Sequence, residues 1–127
     1  MRTVIKTKDA PGAIGTYSQG IRAGGFVFTS GQLGIDPAMG ELERSDFAKQ
    51  ARLVLRNLKA VREAGGSSLE HVVKLTVFLT DLSNFPALNA VFAECFKADP
   101  PARSTVQVAA LPLGADVEIE AVGIVVE

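Results

Sequence analysis

Between residues 45 and 108, the spacing of apolar residues switches from a helical period to a strand period and back again. The pattern predicts a first helix capped by Ser45, with Asp46 in its first turn and a stop at Gly65-Gly66. Residues His71–Thr80 then alternate as a strand does, and the apolar face is predicted to carry Val73, Leu75, Val77 and Leu79. A strand that follows a helix in this way predicts a crossover connection.

A second helix and two strands complete this half of the chain. Ser83 or Asn84 is predicted to cap the helix, and the strands are Arg103–Val108 and Asp116–Val126. The Leu-Pro-Leu-Gly segment between them predicts a hairpin centred near Pro112. Two strand–helix–strand crossovers require parallel neighbours, so the sheet is expected to be mixed.

The first quarter of the chain reads as antiparallel sheet. Strands are predicted at Thr3–Lys6, Gln19–Ala23 and Phe26–Ser30, with the Gly24-Gly25 pair forming a tight hairpin turn. The whole order, β-β-β-α-β-α-β-β, predicts an α+β fold in which two helices pack on one face of a mixed β-sheet. The other face then lacks a cover, so the pattern predicts an oligomer.

Composition excludes several classes of function. The 127 residues predict a single domain, 1–127, and 13 basic against 14 acidic residues give a net charge of -1. A chain with this charge balance has too weak a positive electrostatic field to bind a phosphate backbone, which argues against nucleic acid as a partner. One cysteine excludes an internal disulfide, and no stretch approaches the ~20 apolar residues of a membrane span. We therefore expect a soluble protein of the reducing cytoplasm with no membrane partner.

Metal and nucleotide cofactors are also not expected. Zinc and non-haem iron sites usually need two or three His or Cys ligands, and His71 and Cys95 are the only such residues. Neither the phosphate-binding loop nor the dinucleotide-binding glycine pattern occurs. No metal and no cofactor are predicted.

Arg103, Glu118 and Glu120 are the charged residues most suited to chemistry. The predicted hairpin would bring Arg103 onto a strand beside the two glutamates, which share a strand face. Such an arginine could bind a small carboxylate while a glutamate orients water, or the charges could form an ordinary cross-strand ion pair. The hydroxyls of Tyr17, Ser18 and Ser30 likewise suit either a pocket or local turns.

Four segments in order resemble the signatures of the YjgF/RidA family of enamine and imine deaminases. They are Ala10–Gln19 (APGAIGTYSQ), Thr29–Gln32 (TSGQ), Pro101–Val108 (PARSTVQV) and Leu111–Ala121 (LPLGADVEIEA). The resemblance runs nearly end to end and also takes in Val73–Leu79. Two departures occur: Thr16 stands where proline is usual, and Thr105 where many relatives carry cysteine.

The resemblance implies a homotrimer of chorismate-mutase-like subunits, with a central β-barrel and three sites in clefts between subunits. It implies a hydrolase without cofactor that converts 2-aminoacrylate and related 2-imino acids, such as 2-iminobutanoate and 2-iminopropanoate, to 2-oxo acids and ammonia. Pyridoxal-phosphate enzymes release these reactive intermediates. By position, Arg103 would bind the substrate carboxylate and Glu118 the attacking water, whereas Glu120 would not be catalytic. The residues implied to line the cleft are Tyr17, Ser30, Gly31, Asn89 and Thr105.

Three other functions remain open at this level. The Arg103 cleft would serve equally in a non-catalytic regulatory module that binds small carboxylates. A deaminase of another imine or enamine, such as an aminomuconate-type acid, is the nearest enzymatic alternative. A ribonuclease or translation inhibitor, a role attached to some relatives, is the least favoured because the charge balance suits RNA poorly.

Overall fold

The computed structural model describes residues 1–126, so Glu127, the last residue of the predicted domain, lies outside the described residues. The strands are β1 (Arg2–Ile5), β2 (Gly20–Ala23), β3 (Phe26–Thr29), β4 (Val72–Leu79), β5 (Ala102–Gln107) and β6 (Val117–Ile124). The α-helices are α1 (Phe47–Ala64) and α2 (Phe85–Cys95). The predicted element order and the mixed α+β class are confirmed.

The sheet runs in the order β1-β2-β3-β6-β4-β5, with β4 and β5 parallel and the other pairs antiparallel. The predicted hairpin between the last two strands is therefore wrong, since β4 separates β5 from β6. The reason is burial: β6 alternates fully buried residues such as Val117 and Ile119 with outward ones, whereas β5 has no buried residue. The more apolar strand takes the centre of the sheet and the less apolar strand takes its edge.

Local backbone chemistry sets the ends of α1. Its N-cap is Asp46, whose carboxylate accepts a hydrogen bond from the amide of Ala48 at 3.3 Å. The prediction that Ser45 caps this helix is wrong, because its hydroxyl donates instead to the carboxylate of Glu43. The predicted stop is confirmed: Gly65 is the C-cap and Gly66 adopts a φ of 87°. Within residues 1–126, no helix has the length and apolarity needed to cross a membrane.

The core lies between the two helices and the central strands. It is formed by apolar side chains of α1, α2, β4 and β6, including Val54, Leu58, Leu88, Val77 and Ile119. Val73 does not join it as predicted, because β4 has a bulge between Val72 and Lys74 that turns Val72 inward and Val73 outward. One extra residue in a strand reverses the faces on either side of it.

The opposite face of the sheet is uncovered and apolar. Phe26, Phe28, Val106 and Ile124 lie on it, each more than a third exposed. We call this surface the open face. It agrees with the predicted arrangement of both helices on one side, and an exposed apolar surface of this kind is typical of an interface. The trimer itself and its central barrel stay predictions.

Candidate active site

Arg103 projects from β5 toward the helices, because β4 and β5 pair in parallel register and Arg103 lies beside the buried Leu75. Its Nη2 donates a 2.8 Å hydrogen bond to Oδ1 of Asn89 on α2. The guanidinium carbon lies 4.9 Å from the ring centroid of Phe92 and 5.3 Å from that of Phe85. Two aromatic rings and one amide therefore fix the orientation of the guanidinium.

The guanidinium of Arg103 lies at the wall of a cavity of about 460 Å³. The cavity also carries Leu75, Asn89, Phe92, Ala93, Phe96, Pro100 and Pro101, none of them acidic. Partial burial lowers the pKa of Arg103 from its ordinary value. Arg103 makes no salt bridge with residues 1–126, so the interpretation as a structural ion pair is not supported. Of the five N–H donors of Arg103, only one forms a hydrogen bond within residues 1–126, and its acceptor is Asn89. The other donors are free to bind an external carboxylate.

Glu118 lies on the open face, because it is paired with Phe78 of β4 while the flanking Val117 and Ile119 are buried toward the helices. The segment after β3 runs alongside β6: the amide of Gln32 donates to the carbonyl of Ile119 at 2.8 Å and the reverse bond measures 3.1 Å. This pairing presses Gly31 against Glu118. A Cβ at position 31 would lie 2.6 Å from Oε2 of Glu118, so only glycine fits without displacing the carboxylate.

The Glu118 carboxylate is half-buried and accepts no hydrogen bond from another side chain or backbone group in the described chain. Burial raises its pKa, and the neighbouring negative charge of Glu120 raises it further. A carboxylate with a raised pKa is a stronger base than an exposed one. Glu118 is therefore suited to accept a proton from water.

Tyr17 and Ser30 lie in the part of the molecule that holds Glu118 and not in the part that holds Arg103. Tyr17 and Gly31 line a cavity of about 440 Å³ together with Glu118. Ser30 instead lines an adjoining cavity with Tyr17, and its hydroxyl donates a 2.6 Å hydrogen bond to the carbonyl of Ser18. The hydroxyl of Ser30 therefore stabilises the local backbone, which agrees with the turn interpretation, and its amide donates a 2.9 Å hydrogen bond to the carbonyl of Gln19.

Thr105 lies on the helix side with Arg103, two residues further along β5. Its buried Oγ1 has no hydrogen-bond partner within residues 1–126. The seven predicted site residues thus form two groups in one chain. The Arg103 group comprises Asn89, Arg103 and Thr105 on the helix side, and the Glu118 group comprises Tyr17, Ser30, Gly31 and Glu118 beside the open face.

Two features of the site were missed in the sequence. The first is the pair Phe85 and Phe92, which are absent from the predicted site residues although both pack against the guanidinium of Arg103. Their spacing of seven residues, which places them on one helix face, is the signal that could have found them. The second feature is the apolar wall around Glu118, to which Leu113 and Ile14 contribute.

Neither His71 nor Cys95 lies in either group. The ring Nδ1 of His71 is 2.6 Å from the hydroxyl of Ser68, and burial raises the pKa of the Cys95 thiol. A raised thiol pKa disfavours the thiolate, so Cys95 is suited to packing rather than to nucleophilic attack. In residues 1–126, no cluster of three or more His, Cys, Asp or Glu could hold a metal ion.

Comparison with known proteins places this geometry in a family. A family model described as Endoribonuclease L-PSP, which represents the YjgF/RidA family, matches residues 7–125. The chain belongs to the YjgF/RidA family. The resemblance seen in the four sequence segments is thereby confirmed.

Relatives within the YjgF/RidA family are similar over nearly their whole length. The human 2-iminobutanoate/2-iminopropanoate deaminase is 44% identical over 98% of this chain and 90% of its own. A RutC family protein of Pyrococcus horikoshii is 48% identical over 96% of this chain and 97% of its own. The crystal structure of Escherichia coli TdcF with bound serine shares 46% identity and a TM-score of 0.90, covering 96% of this chain and 98% of TdcF.

Proposed function

We propose that this protein is a 2-iminobutanoate/2-iminopropanoate deaminase, a hydrolase of 2-aminoacrylate and related 2-imino acids. The products are 2-oxo acids and ammonia, and no cofactor takes part. A relative that is 44% identical over 98% of this chain is named for this activity, and another, TdcF, has a structure with the amino acid serine bound. An amino acid and a 2-imino acid share the carboxylate, which is the group that an arginine would recognise.

The observation that carries this proposal is the state of Arg103. The guanidinium is anchored by Asn89, Phe85 and Phe92, yet it makes no ion pair with the described residues. A partly buried cation without an acidic partner pays a desolvation cost that an anionic ligand offsets. We assign the substrate carboxylate to the remaining donors of Arg103, with Asn89 and Thr105 lining this part of the site.

Assembly into a homotrimer would complete the site. Arg103 faces the helix side of the sheet and Glu118 faces the open side, so a single chain cannot present both to one small substrate. The apolar open face supplies the surface that a second copy would cover. We therefore place each site between two subunits, with the Arg103 group of one facing the Glu118 group of the other.

The chemistry follows from these roles. An enamine first tautomerises to the imine, and water then adds to C2 of the C=N bond. Glu118 accepts one proton of the water as the C–O bond to the protonated imine forms, which gives a neutral carbinolamine. Glu118 returns that proton to the amino nitrogen, and the C–N bond then breaks as the carbinolamine hydroxyl gives its proton to the Glu118 carboxylate, so that ammonia leaves and the 2-oxo acid forms. Tyr17 and Gly31 would shape the pocket in which the water is held, and Ser30 would line the adjoining cavity.

The decisive experiment measures ammonia and pyruvate release from serine in the presence of a serine dehydratase, with and without this protein. We expect the protein to accelerate release of both products, and Arg103→Ala to remove the acceleration. Unchanged release, with binding of pyruvate to the folded protein, would instead indicate a non-catalytic carboxylate-binding module. RNA cleavage that survives Arg103→Ala would indicate the ribonuclease alternative.

A further inference from the structure

The cavity beside Glu118 is walled mainly by apolar side chains. Its volume is about 440 Å³, within the range of small-molecule sites. The apolar residues that line it include Pro11, Ile14, Leu33, Ile35, Pro112 and Leu113. The reaction at C2 needs none of these carbon surfaces, so they are available to contact another part of the substrate.

The charges around this cavity determine which part of a substrate can enter it. Glu118 and Asp36 are the charged residues that line it, and both are acidic. Asp36 is already engaged in a turn, where its Oδ1 accepts hydrogen bonds from the amides of Ala38 and Met39 at 2.8 and 3.3 Å. No basic side chain of residues 1–126 lines the cavity. A substrate carboxylate is therefore repelled, whereas an apolar group is accepted.

Leu113 holds an apolar side chain at the cavity wall in a backbone conformation that leucine rarely adopts. Its φ is 60°, and the residue remains 53% exposed. The guanidinium of Arg44 donates a 2.9 Å hydrogen bond to the carbonyl of Leu113 and so braces this turn. Ile14, also on the cavity wall, is 83% exposed. Both side chains would gain burial from an apolar ligand.

We propose that this cavity binds the side chain of the 2-imino acid, and that Leu113 and Ile14 make the enzyme selective for apolar side chains larger than methyl. The inference rests on the proposed function. With the carboxylate at Arg103 of the neighbouring subunit and C2 at Glu118, the third substituent of C2 points into the apolar cavity.

The test compares the 2-imino acids derived from leucine and from alanine. An amino acid oxidase with catalase generates each imine in situ, and semicarbazide traps the imine that remains. The wild-type protein, Leu113→Asn and Leu82→Asn are compared. Asparagine tolerates the left-handed backbone at position 113, so this change removes apolar surface without adding strain. Leu82 is also exposed but lies outside the cavity, which makes Leu82→Asn the matched control.

We expect the wild type to favour the leucine-derived imine in kcat/KM by about tenfold or more, since each methylene in an apolar pocket contributes discrimination of this order. Leu113→Asn should reduce that preference about tenfold through the leucine-derived imine alone, while Leu82→Asn keeps it. Equal kcat/KM values for the two imines, or a preference that Leu113→Asn does not change, would overturn the proposal.

A second measurement separates this proposal from the proposed function. The 2-oxo acids 4-methyl-2-oxopentanoate and pyruvate are titrated into the wild type while the methyl NMR signals of Leu113 and Ile14 are followed. If neither imine is hydrolysed but the larger acid binds more tightly and shifts these signals, the proposed reaction is wrong and the side-chain cavity stands. Equal binding without shifts would refute the cavity whatever the hydrolysis result.

Discussion

Gly31→Ala tests whether the position of the Glu118 carboxylate controls turnover. The new Cβ would lie 2.6 Å from Oε2, 2.8 Å from Cδ and 3.0 Å from Cγ of Glu118, whereas ordinary contact begins at 3.4 Å. The carboxylate must therefore move by about 0.8 Å. A displacement of ~1 Å at a reacting group can cost 10²-fold in rate, so we expect kcat to fall by roughly tenfold to a hundredfold, or about 1.4 to 2.7 kcal/mol.

The fold should survive this substitution. The backbone of Gly31 does not require a positive φ, and the atoms in the way are the far end of a flexible side chain. The free energy of unfolding should therefore change by no more than about 1 kcal/mol. Gly12→Ala is the matched control, because a Cβ at position 12 meets nothing within 4 Å. Its unfolding temperature should equal that of the wild type.

A double-mutant cycle with Glu118→Ala identifies the cause. If Gly31→Ala acts by displacing the carboxylate, it should have no further effect once that carboxylate is absent. The assay is the rate of ammonia release from 2-aminoacrylate generated in situ. A kcat for Gly31→Ala within threefold of wild type, or losses that add in the double mutant, would refute the assignment of Glu118 as the group that holds the water.

Three further predictions concern the charges and the assembly. Arg103→Lys keeps the charge but loses the planar guanidinium that lies over Phe92, so kcat/KM should fall roughly tenfold or more. Full activity of this variant would contradict the role of Arg103 in binding the substrate carboxylate. Because the raised pKa of Glu118 sets the acidic limb of the kcat–pH profile, activity should fall as pH drops through it, and Glu120→Gln should move that limb to lower pH. An unmoved limb would contradict the coupling. Light scattering should give a mass about three times 13.4 kDa, and a monomer at micromolar concentration would contradict the site between subunits.

Local periodicity predicted the elements and their faces because these depend on residues close in sequence. The alternation of residues 117–124 correctly placed Glu118 and Glu120 on one face. The pairing of strands depends instead on which strands bury the most apolar surface, and no spacing within β5 or β6 reveals that β6 inserts between β3 and β4. A hairpin between β5 and β6 is the simplest connection. It does not form, because Val117 and Ile119 of β6 are buried in the centre of the sheet.

The candidate site also has a part that the sequence predicts and a part that only the tertiary structure reveals. The resemblance supplied its residues, but only the packing of α2 over β5 shows that Asn89 and two phenylalanines hold Arg103. The contact of Gly31 with Glu118 likewise depends on the pairing of Gln32 with Ile119, which are 87 positions apart. A turn residue such as Ser30 is ambiguous in sequence, since its hydroxyl can serve a ligand or the backbone with equal ease.

The separation of Arg103 from Glu118 on opposite sides of the sheet has a chemical consequence. Had the predicted hairpin formed, the two charges would lie on neighbouring strands, where an ion pair at ~4 Å in an effective dielectric of ~20 is worth about 4 kcal/mol. Such a pair would occupy the donors of Arg103 and lower the pKa of Glu118, so that neither group could act on a substrate. With β4 between them, the guanidinium stays unpaired and burial keeps the pKa of Glu118 raised. In the proposed trimer the substrate, with its carboxylate at one end and its C=N carbon near the other, is what bridges the two groups.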